Sequence, residues 1–470
     1  DIAMPAPASS PSPNWFRRTW GRLSPRMQGL VKNLCVGVGI WCVLLLFQDS
    51  ARLRRFEDTG FDWIMRMAAG TGVHDTGNRF AFALLDIDER TYRRWDEPFF
   101  TDRAKLCRLI RYGVDNGARL IIVDVEVSRP GGPGDEVLRE YLTSLDYSAD
   151  SPPPPILLAR GLRHPLGLGE DSKNTLEARP SFLDRVVAES PGLFWASTLF
   201  DLEPDGQIRR WRLWEDILPG DSEAPKTLLS FQVLAGLLLL GDDLSLAAPD
   251  LFLSQLNNQT EQLQVGPHTF EPAAGRMERR IIYSIPWHLA EDERYPDITL
   301  RGEAAPLLYV RPAYTVTEID APPPDPSLAG RVLIIGASHA ESRDVHATPL
   351  GSMPGPMIIL NSVDTFLRFG AVKKPPLVLR LLIIMALILV MSVCFQRFSS
   401  FLGMVLSALV VVLALIPLTF WLFRDGFWID FAVPLIAVQV YKIVDEFRKT
   451  ALRGRNTPCP SDLPPEGSPE

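Results

Sequence analysis

FAFALLDI at Phe80–Ile87 and RLIIVDV at Arg119–Val125 are the two stretches of sequence that decide the fold. Each is a continuous apolar run of strand length, which is typical of a strand buried on both faces of a parallel sheet. Between them, Asp102–Asn116 places its apolar residues at helical spacing, and Gly117 follows as a helix stop. Strand, helix and strand in this order predict a right-handed βαβ unit.

The same alternation of short apolar runs and helical stretches continues along the chain. It predicts strands at Ile156–Ala159, Leu193–Ser197, Arg280–Tyr283, Leu307–Val310 and Val332–Ile335, a hairpin from Asp201 to Leu213, and helices from about Glu136, at Ser230–Leu240 and at Pro354–Phe369. The sequence therefore predicts one large α/β domain with a mostly parallel sheet and a less regular insert around residues 160–280.

Long hydrophobic runs lie at both ends of this domain. They are Val31–Phe47 before it, and Leu377–Phe395, Phe401–Phe423 and Phe427–Val444 after it. A bilayer core needs about 20 apolar residues as helix, so the pattern predicts four transmembrane α-helices, one N-terminal and three C-terminal. The predicted parts are a disordered basic segment (1–29), the first span (30–47), an extracytoplasmic domain (48–375), three spans (376–444) and a short disordered tail (445–470).

Positive charge sets the predicted orientation. The residues before the first span include five basic side chains and no acidic one between them: Arg17, Arg18, Arg22, Arg26 and Lys32. A second basic group follows the last span. Because cytoplasmic flanks carry such an excess, both termini are predicted in the cytoplasm and the large domain in the periplasm, in a multi-pass protein of a bacterial inner membrane. The first run is interpreted as a retained signal anchor rather than a cleaved signal peptide.

Composition narrows the function further. The formal net charge of -8 argues against a nucleic-acid partner, since such proteins usually present a basic face. Of five cysteines, only Cys107 falls in the large domain, so no disulfide can form within it and the apolar core must hold it together.

Acidic side chains collect where the predicted strands end. The candidate site residues are Asp86, Asp88, Asp124, Glu126, Asp344 and His346. In parallel α/β sheets, ligands bind outside the carboxyl ends of the strands, where the strand order reverses. Carboxylates there suit a divalent cation, a basic ligand or an arginine of a partner. Aspartates at strand ends also cap turns or helices, and both interpretations stay open.

Motifs of catalysis are absent from the sequence. There is no Gly-x-Ser-x-Gly, no His-Glu-x-x-His and no Cys-x-x-Cys, and the six histidines are scattered singly. The sequence therefore predicts a protein that is not an enzyme and has no cofactor.

Several segments follow one another in an order typical of a known family. They are Asp62 and Arg66 after the first span, Leu85–Glu89, Glu97-Pro98 through Arg103, Gly117–Asp124, Val332–Ala337, Thr348–Gly351 with Pro354-Gly355, and Asn361 with Asp364. Together they resemble the second-type CHASE domain, an extracellular sensory module associated with cyclases and histidine kinases. The resemblance implies structural roles for Gly336, Thr348, Pro349, Gly351 and Gly355.

The resemblance also implies a function. Relatives commonly continue into a cyclase, a kinase or another output domain, whereas only residues 445–470 follow the last span here. The expected function is a membrane-anchored sensor that detects a ligand or an envelope partner and relays this through a separate membrane or cytoplasmic protein. A homodimer is implied by the resemblance alone. The alternative is a structural subunit of a multiprotein envelope complex that binds no small ligand.

Overall fold

The structure is a computed structural model. It describes residues 51–70, 80–129, 132, 134–165, 176–218, 226–241, 245–258, 260, 262–270, 278–287, 295–370, 376–398 and 416–424, with isolated residues at 24, 27–28, 31, 34–35, 38–39, 406, 409 and 413. The chain divides into two compact units, one of residues 62–372 and one of residues 1–61 with 373–470.

A six-stranded sheet forms the centre of the 62–372 unit. Its strands are β1 (Phe82–Ile87), β2 (Leu120–Asp124), β3 (Ile156–Ala159), β6 (Leu193–Ala196), β16 (Leu308–Pro312) and β17 (Val332–Ala337). The order is β16-β1-β17-β2-β3-β6, and every neighbouring pair is parallel. The prediction of a mixed α/β fold with a mostly parallel sheet is confirmed. The late strand β17 lies between β1 and β2, the two strands of the predicted βαβ unit.

Helices cover one face of this sheet. They are α2 (Glu89–Arg94), α3 (Arg103–Asp115), α4 (Gly134–Thr143), α5 (Asp184–Glu189) and α8 (Tyr314–Thr317). Helix α3 begins at Asp102, whose side chain accepts a hydrogen bond from the Ala104 N–H, and it ends before Gly117, which has a φ of 69°. Its buried residues, among them Leu106, Leu109 and Ile110, form one core with the alternate side chains of the strands.

A single long helix, α9 (Gly355–Phe369), lies on the opposite face of the sheet. Thirteen of its residues are buried, because it packs on β17 and on α6 (Phe231–Leu239). Helix α6 is buried along its whole length, as the uniformly apolar stretch Ser230–Leu240 predicts. The helices predicted at Pro354–Phe369 and Ser230–Leu240 are confirmed within one residue at each end.

Short strands and one helix make up the insert and the remaining loops. They are β4 (Leu162–Arg163), β5 (Leu176–Ala178), β7 (Phe200–Leu202), β8 (Ile208–Arg212), β9 (Trp214–Leu218), β10 (Lys226–Leu229), α7 (Ala248–Asn257), β11 (Leu263–Val265), β12 (His268–Phe270), β13 (Glu278–Arg280), β14 (Asp297–Leu300), β15 (Glu303–Pro306), β18 (Val345–Thr348) and β19 (Gly351–Pro354). Strands β7 and β8 form the hairpin predicted at this place.

The prediction of a strand at Arg280–Tyr283 is wrong beyond Arg280. Strand β13 ends at Arg280, and the following segment has no regular secondary structure. The Ile281 N–H still donates to the Arg209 carbonyl of β8 at 2.8 Å, but from Ile282 onward the backbone bonds to side chains of α9. The Ile282 N–H donates to Thr365 Oγ1 at 3.0 Å, and Thr365 Oγ1 donates to the Ile282 carbonyl at 3.1 Å.

Among the helices whose bounds the structure describes, three fall wholly or partly in the other unit. They are the first part of α1 (Ala51–Gly70), α10 (Leu377–Arg397) and α11 (Ile416–Arg424). Within the described residues, no helix has both the length and the apolar character needed to cross a membrane. The predicted span at 427–444, the tail at 445–470 and most of the segment 1–47 lie outside the described residues. The four spans therefore stay a prediction.

Candidate functional site

Asp86, Gly336 and Asp124 form one row at the carboxyl ends of three neighbouring strands. Asp86 of β1 pairs with Gly336 of β17, and Gly336 pairs with Asp124 of β2. Ala83 and Leu85 belong to the core on the α3 side, so the alternation of a strand turns Asp86 to the opposite face, where α9 lies. The tertiary structure thus brings the two aspartates to the same face, with a glycine between them.

Gly336 allows the start of α9 to approach the sheet. A Cβ atom at this position would lie 3.0 Å from Cβ of Pro356, the second residue of α9, and 3.4 Å from Cβ of Asp124. Any larger residue would therefore push the helix away from the row of carboxylates.

Asp86 is buried, and only one of its two carboxylate oxygens accepts a hydrogen bond from the described residues. Ser338 Oγ donates a hydrogen bond to its Oδ2 at 2.8 Å, whereas its buried Oδ1 has no hydrogen-bond partner among the described residues. Burial raises the pKa of Asp86 to about 7, the charge of Asp88 adds to the increase, and the hydrogen bond from Ser338 opposes it. A carboxyl group with this pKa changes its protonation state near neutral pH.

Asp124, Asp344 and His346 form a second group beside this row. His346 Nε2 lies 2.9 Å from Asp344 Oδ1. Burial, together with the negative charge of Asp344, raises the pKa of Asp124 well above its usual range. Burial also raises the pKa of Asp344, while the hydrogen bond and charge of His346 lower it. Asp124 Oδ2 is buried and has no hydrogen-bond partner in the described part of the chain.

Asp88 and Glu126, the other two candidate residues, face different surroundings. Asp88 caps α2, because its Oδ1 accepts a hydrogen bond from the Thr91 N–H at 2.7 Å. Glu126 is half-exposed and lies 3.8 Å from Arg179. Its carbonyl accepts a 2.6 Å hydrogen bond from the buried Arg103. The helix-capping interpretation therefore describes Asp88, while Arg103 fixes the backbone just after β2.

The motif residues around Thr348 close a tight hairpin between β18 and β19. Thr348 Oγ1 donates to the Gly351 carbonyl at 2.7 Å and accepts from the Leu350 N–H at 3.3 Å. Gly351 has a φ of 109°, which favours glycine. Pro349 lies in this turn, and its carbonyl accepts a hydrogen bond from Arg66 Nε at 2.7 Å.

Gly355 follows the hairpin and begins α9. Its N–H donates to the Asp344 carbonyl at 2.7 Å. A Cβ atom on Gly355 would lie 2.6 Å from Asp344 Oδ1, so the Asp344 carboxylate occupies the space that a side chain would need. Gly336 and Gly355 together let α9, the hairpin and the sheet meet at the carboxylates.

A buried ion network holds the end of α1 in the same unit. Asp62 Oδ2 accepts hydrogen bonds from Arg209 Nε and Nη2 at 3.0 and 2.9 Å, and Asp62 Oδ1 accepts from Arg280 at 3.1 Å. Arg209 also pairs with Glu203 and Asp205. Asp62 belongs to the family motif after the first predicted span, but its two arginine partners, Arg209 and Arg280, were not predicted from the sequence. The signal was present in β8, where IRRWR places an arginine inward on a strand and so requires a buried counter-charge.

Asn361 on α9 fixes the irregular segment after β13. Its Oδ1 accepts from the Ser284 and Ile285 N–H groups at 3.0 and 2.9 Å, and its Nδ2 donates to the Ile285 and Met357 carbonyls, both at 2.9 Å. Asp364, one turn later, accepts from Ser284 Oγ at 3.0 Å. These two motif residues therefore join α9 to the insert.

A cavity of about 660 Å³ opens beside β6, away from the carboxylates. Its walls are largely apolar and include Trp195, Leu228, Leu234 and Leu253, with Glu189 among the polar groups. Its size is that of a small-molecule site. The sequence did not reveal it, because its walls come from elements far apart along the chain.

The described residues contain no group of three or more His, Cys, Asp or Glu side chains arranged to hold a metal ion.

Fold and site together define a class: an α/β domain with carboxylates at its strand ends, in which one hairpin contacts both the first helix and the last helix of the domain. The chain belongs to the CHASE2 domain family, whose family model matches residues 38–395. CHASE2 domains are sensory extracellular modules rather than catalytic ones. No curated protein and no solved structure matches the chain.

Proposed function

We propose that this protein is a membrane-anchored extracytoplasmic sensor that relays its state through a separate protein. Membership in the CHASE2 family supports the sensory role. The four apolar runs and the basic flanks of the sequence support the anchoring and the orientation.

One observation carries the proposal: the β18–β19 hairpin contacts the two helices that lead to the predicted spans. Arg66 of α1 donates to the Pro349 carbonyl in the hairpin turn, and Gly355 of α9 donates to the Asp344 carbonyl just before β18. Helix α1 follows the first predicted span along the chain, and α9 precedes the second. A displacement of the hairpin therefore acts on both helices.

A stimulus drives this relay only if it binds two arrangements of the hairpin with different affinities. The carboxylates beside the hairpin supply such a difference, because their charge depends on what is bound to them.

A distance measurement between the predicted cytoplasmic ends of spans one and two tests the relay. A donor and an acceptor fluorophore are attached to Ser24→Cys and Ser399→Cys in full-length protein whose five native cysteines are replaced by serine, in lipid nanodiscs. Arg66→Ala removes the contact with the hairpin, and we expect it to change the energy transfer. Arg66→Lys keeps a donor and should restore the original value.

Arg93→Ala is the control, since Arg93 lies exposed on α2 and forms an ion pair with its neighbour Glu89 on the same helix. It should leave the energy transfer unchanged. Equal transfer in Arg66→Ala and the parent protein would contradict the relay. A stoichiometric envelope protein that co-purifies in mild detergent, together with equal transfer, would support the structural subunit instead.

A further inference from the structure

The Asp124–Asp344 pair lies where the sheet, the β18–β19 hairpin and α9 meet. Asp124 ends β2, and Asp344 immediately precedes β18. The two carboxyl groups are neighbours around the start of α9: a Cβ atom on Gly336 would touch both Pro356 and Cβ of Asp124, and a Cβ atom on Gly355, the residue before Pro356, would touch the Asp344 carboxylate. Two carboxyl groups this close each resist the ionisation of the other. Two acids so placed, in a partly buried site, hold one proton more firmly than either would alone.

Little space is left between these groups for a larger ligand. Cβ atoms at Gly336 and Gly355 would collide with Pro356 and with the Asp344 carboxylate, respectively. The buried Asp124 Oδ2 nevertheless has no hydrogen-bond partner among the described residues. The species that fits an unpartnered carboxylate oxygen without extra volume is a proton.

We propose that the proton is the ligand of this site, that Asp124 and Asp344 share it, and that its loss loosens the β18–β19 hairpin from the sheet. The inference rests on the proposed sensory function and names its stimulus, the pH outside the cytoplasm. When both acids are ionised they repel each other, and the hairpin that carries Asp344 is the element able to move, since β2 is fixed on both sides by β17 and β3.

Charged or titratable side chains lie on several elements around the pair. They are His346 in the hairpin, Arg343 before Asp344, Asp86 across Gly336, Glu126 after β2, Arg66 on α1, and Arg209 and Arg210 on β8, which follows the Gln207–Ala347 bridge to the hairpin. Arg209 pairs with Asp62 and Arg210 with Glu203, and the first two turns of α9 carry no charge. Among the described residues, His346 is the counter-charge that forms a hydrogen bond with the pair.

Hydrogen exchange of the full-length protein in nanodiscs tests the proposal. We measure the hairpin amides, residues 345–354, from about pH 5 to about pH 9 and correct for the intrinsic exchange rate. We expect their protection to fall at least about tenfold across this range in the parent protein, because ionisation favours the open hairpin. Asp344→Asn and Asp124→Asn each remove the repulsion, so the protection should stay constant with pH.

His346→Leu provides a second test, because a shift in the pH of the transition would not result from a merely structural effect. Because His346 favours the ionised form of Asp344, its removal should move the transition to higher pH while keeping the amplitude. Asp297→Asn, at an exposed position on β14, is the control and should behave as the parent.

Protection that is independent of pH in the parent, or a pH dependence that survives in both Asn variants, would overturn the proposal. The two proposals fail separately. If Arg66→Ala changes the energy transfer but the exchange protection of the hairpin does not depend on pH, the relay is supported and the proton is the wrong stimulus. If the hairpin responds to pH but the energy transfer does not respond to Arg66→Ala, the proton site stands and the relay is wrong.

Discussion

Asp86 shows how burial gives a carboxyl group a neutral-pH response. Its pKa rises from 3.8 to about 7 because the folded protein removes it from water. Between these two values the folded state binds more protons than the unfolded state, so the free energy of unfolding falls as the pH rises from about 4 to about 7 and is constant above that range. A shift of about three pKa units corresponds to roughly 4 kcal/mol.

Asp86→Asn should therefore stabilise the protein at high pH. Asparagine carries no charge to desolvate and still accepts the hydrogen bond from Ser338. We expect a gain of up to about 4 kcal/mol at pH 8 and little change at pH 4, measured by urea unfolding of the full-length protein in detergent with circular dichroism.

Asp297→Asn, at an exposed position on β14, is the control for this substitution, since it removes an aspartate charge that lies outside the row of carboxylates. Its pH profile should stay close to that of the parent. If the free energy of unfolding of Asp86→Asn fell with pH as steeply as that of the parent, Asp86 would not be the group responsible for the pH dependence.

Asn361 is a residue whose importance lies in its hydrogen bonds. Its side chain forms hydrogen bonds with four backbone groups and a longer contact with Met353 Sδ at 3.7 Å, and the residue is fully buried. Asn361→Leu keeps the volume but leaves these groups unpaired, each at a cost of about 1–3 kcal/mol. We expect a loss of at least about 3 kcal/mol in the free energy of unfolding. Asn257→Leu, exposed at the end of α7, should change it by less than about 0.5 kcal/mol, and a similar loss in both variants would contradict this account.

At the scale of elements, α1 is held by charge rather than by apolar packing alone. Asp62 contacts two arginines from β8 and β13, and all three side chains are largely buried. Breaking a buried ion pair by removing one partner leaves an uncompensated charge, which is costly. The contact therefore ties the end of α1 to the insert.

Asp62→Asn should loosen this end of α1. Arg209 keeps Glu203 and Asp205, so we expect a partial loss of about 2–4 kcal/mol in the free energy of unfolding, together with faster hydrogen exchange of residues 62–70. Glu89→Gln removes an exposed ion pair on α2 and should have no measurable effect. Exchange in α1 that equals that of the parent would show that the network does not fix the helix.

At the scale of the whole molecule, the predicted topology decides whether the site meets the outside of the cell. Truncated chains joined to alkaline phosphatase after Val372 should be active, because that enzyme works only outside the cytoplasm. The same reporter joined after Met27 or Glu470 should be inactive, and a fluorescent protein active in the cytoplasm should give the opposite pattern. Phosphatase activity after Glu470 would contradict an even number of spans.

Much of the α/β unit could be predicted from local sequence. The strand at Ile156–Ala159 and the helix at Pro354–Phe369 follow from runs of apolar residues that only a core can accept. The segment after Arg280 could not be predicted, because its apolar residues suit a strand and only the side chains of α9 divert its hydrogen bonds.

The sequence by itself determined the parallel sheet, the family and the positions of the strand-end acids, because apolar period and motif order are local properties of the chain. Tertiary structure alone decided what those acids do. Asp62 meets Arg209 across 147 residues, and Arg66 meets Pro349 across 283. Likewise, Asp124 and Asp344 become a pair only because β17 is inserted beside β2 and brings the hairpin with it. Burial and charge between such distant residues depend on the packing of the whole unit, which no single segment specifies.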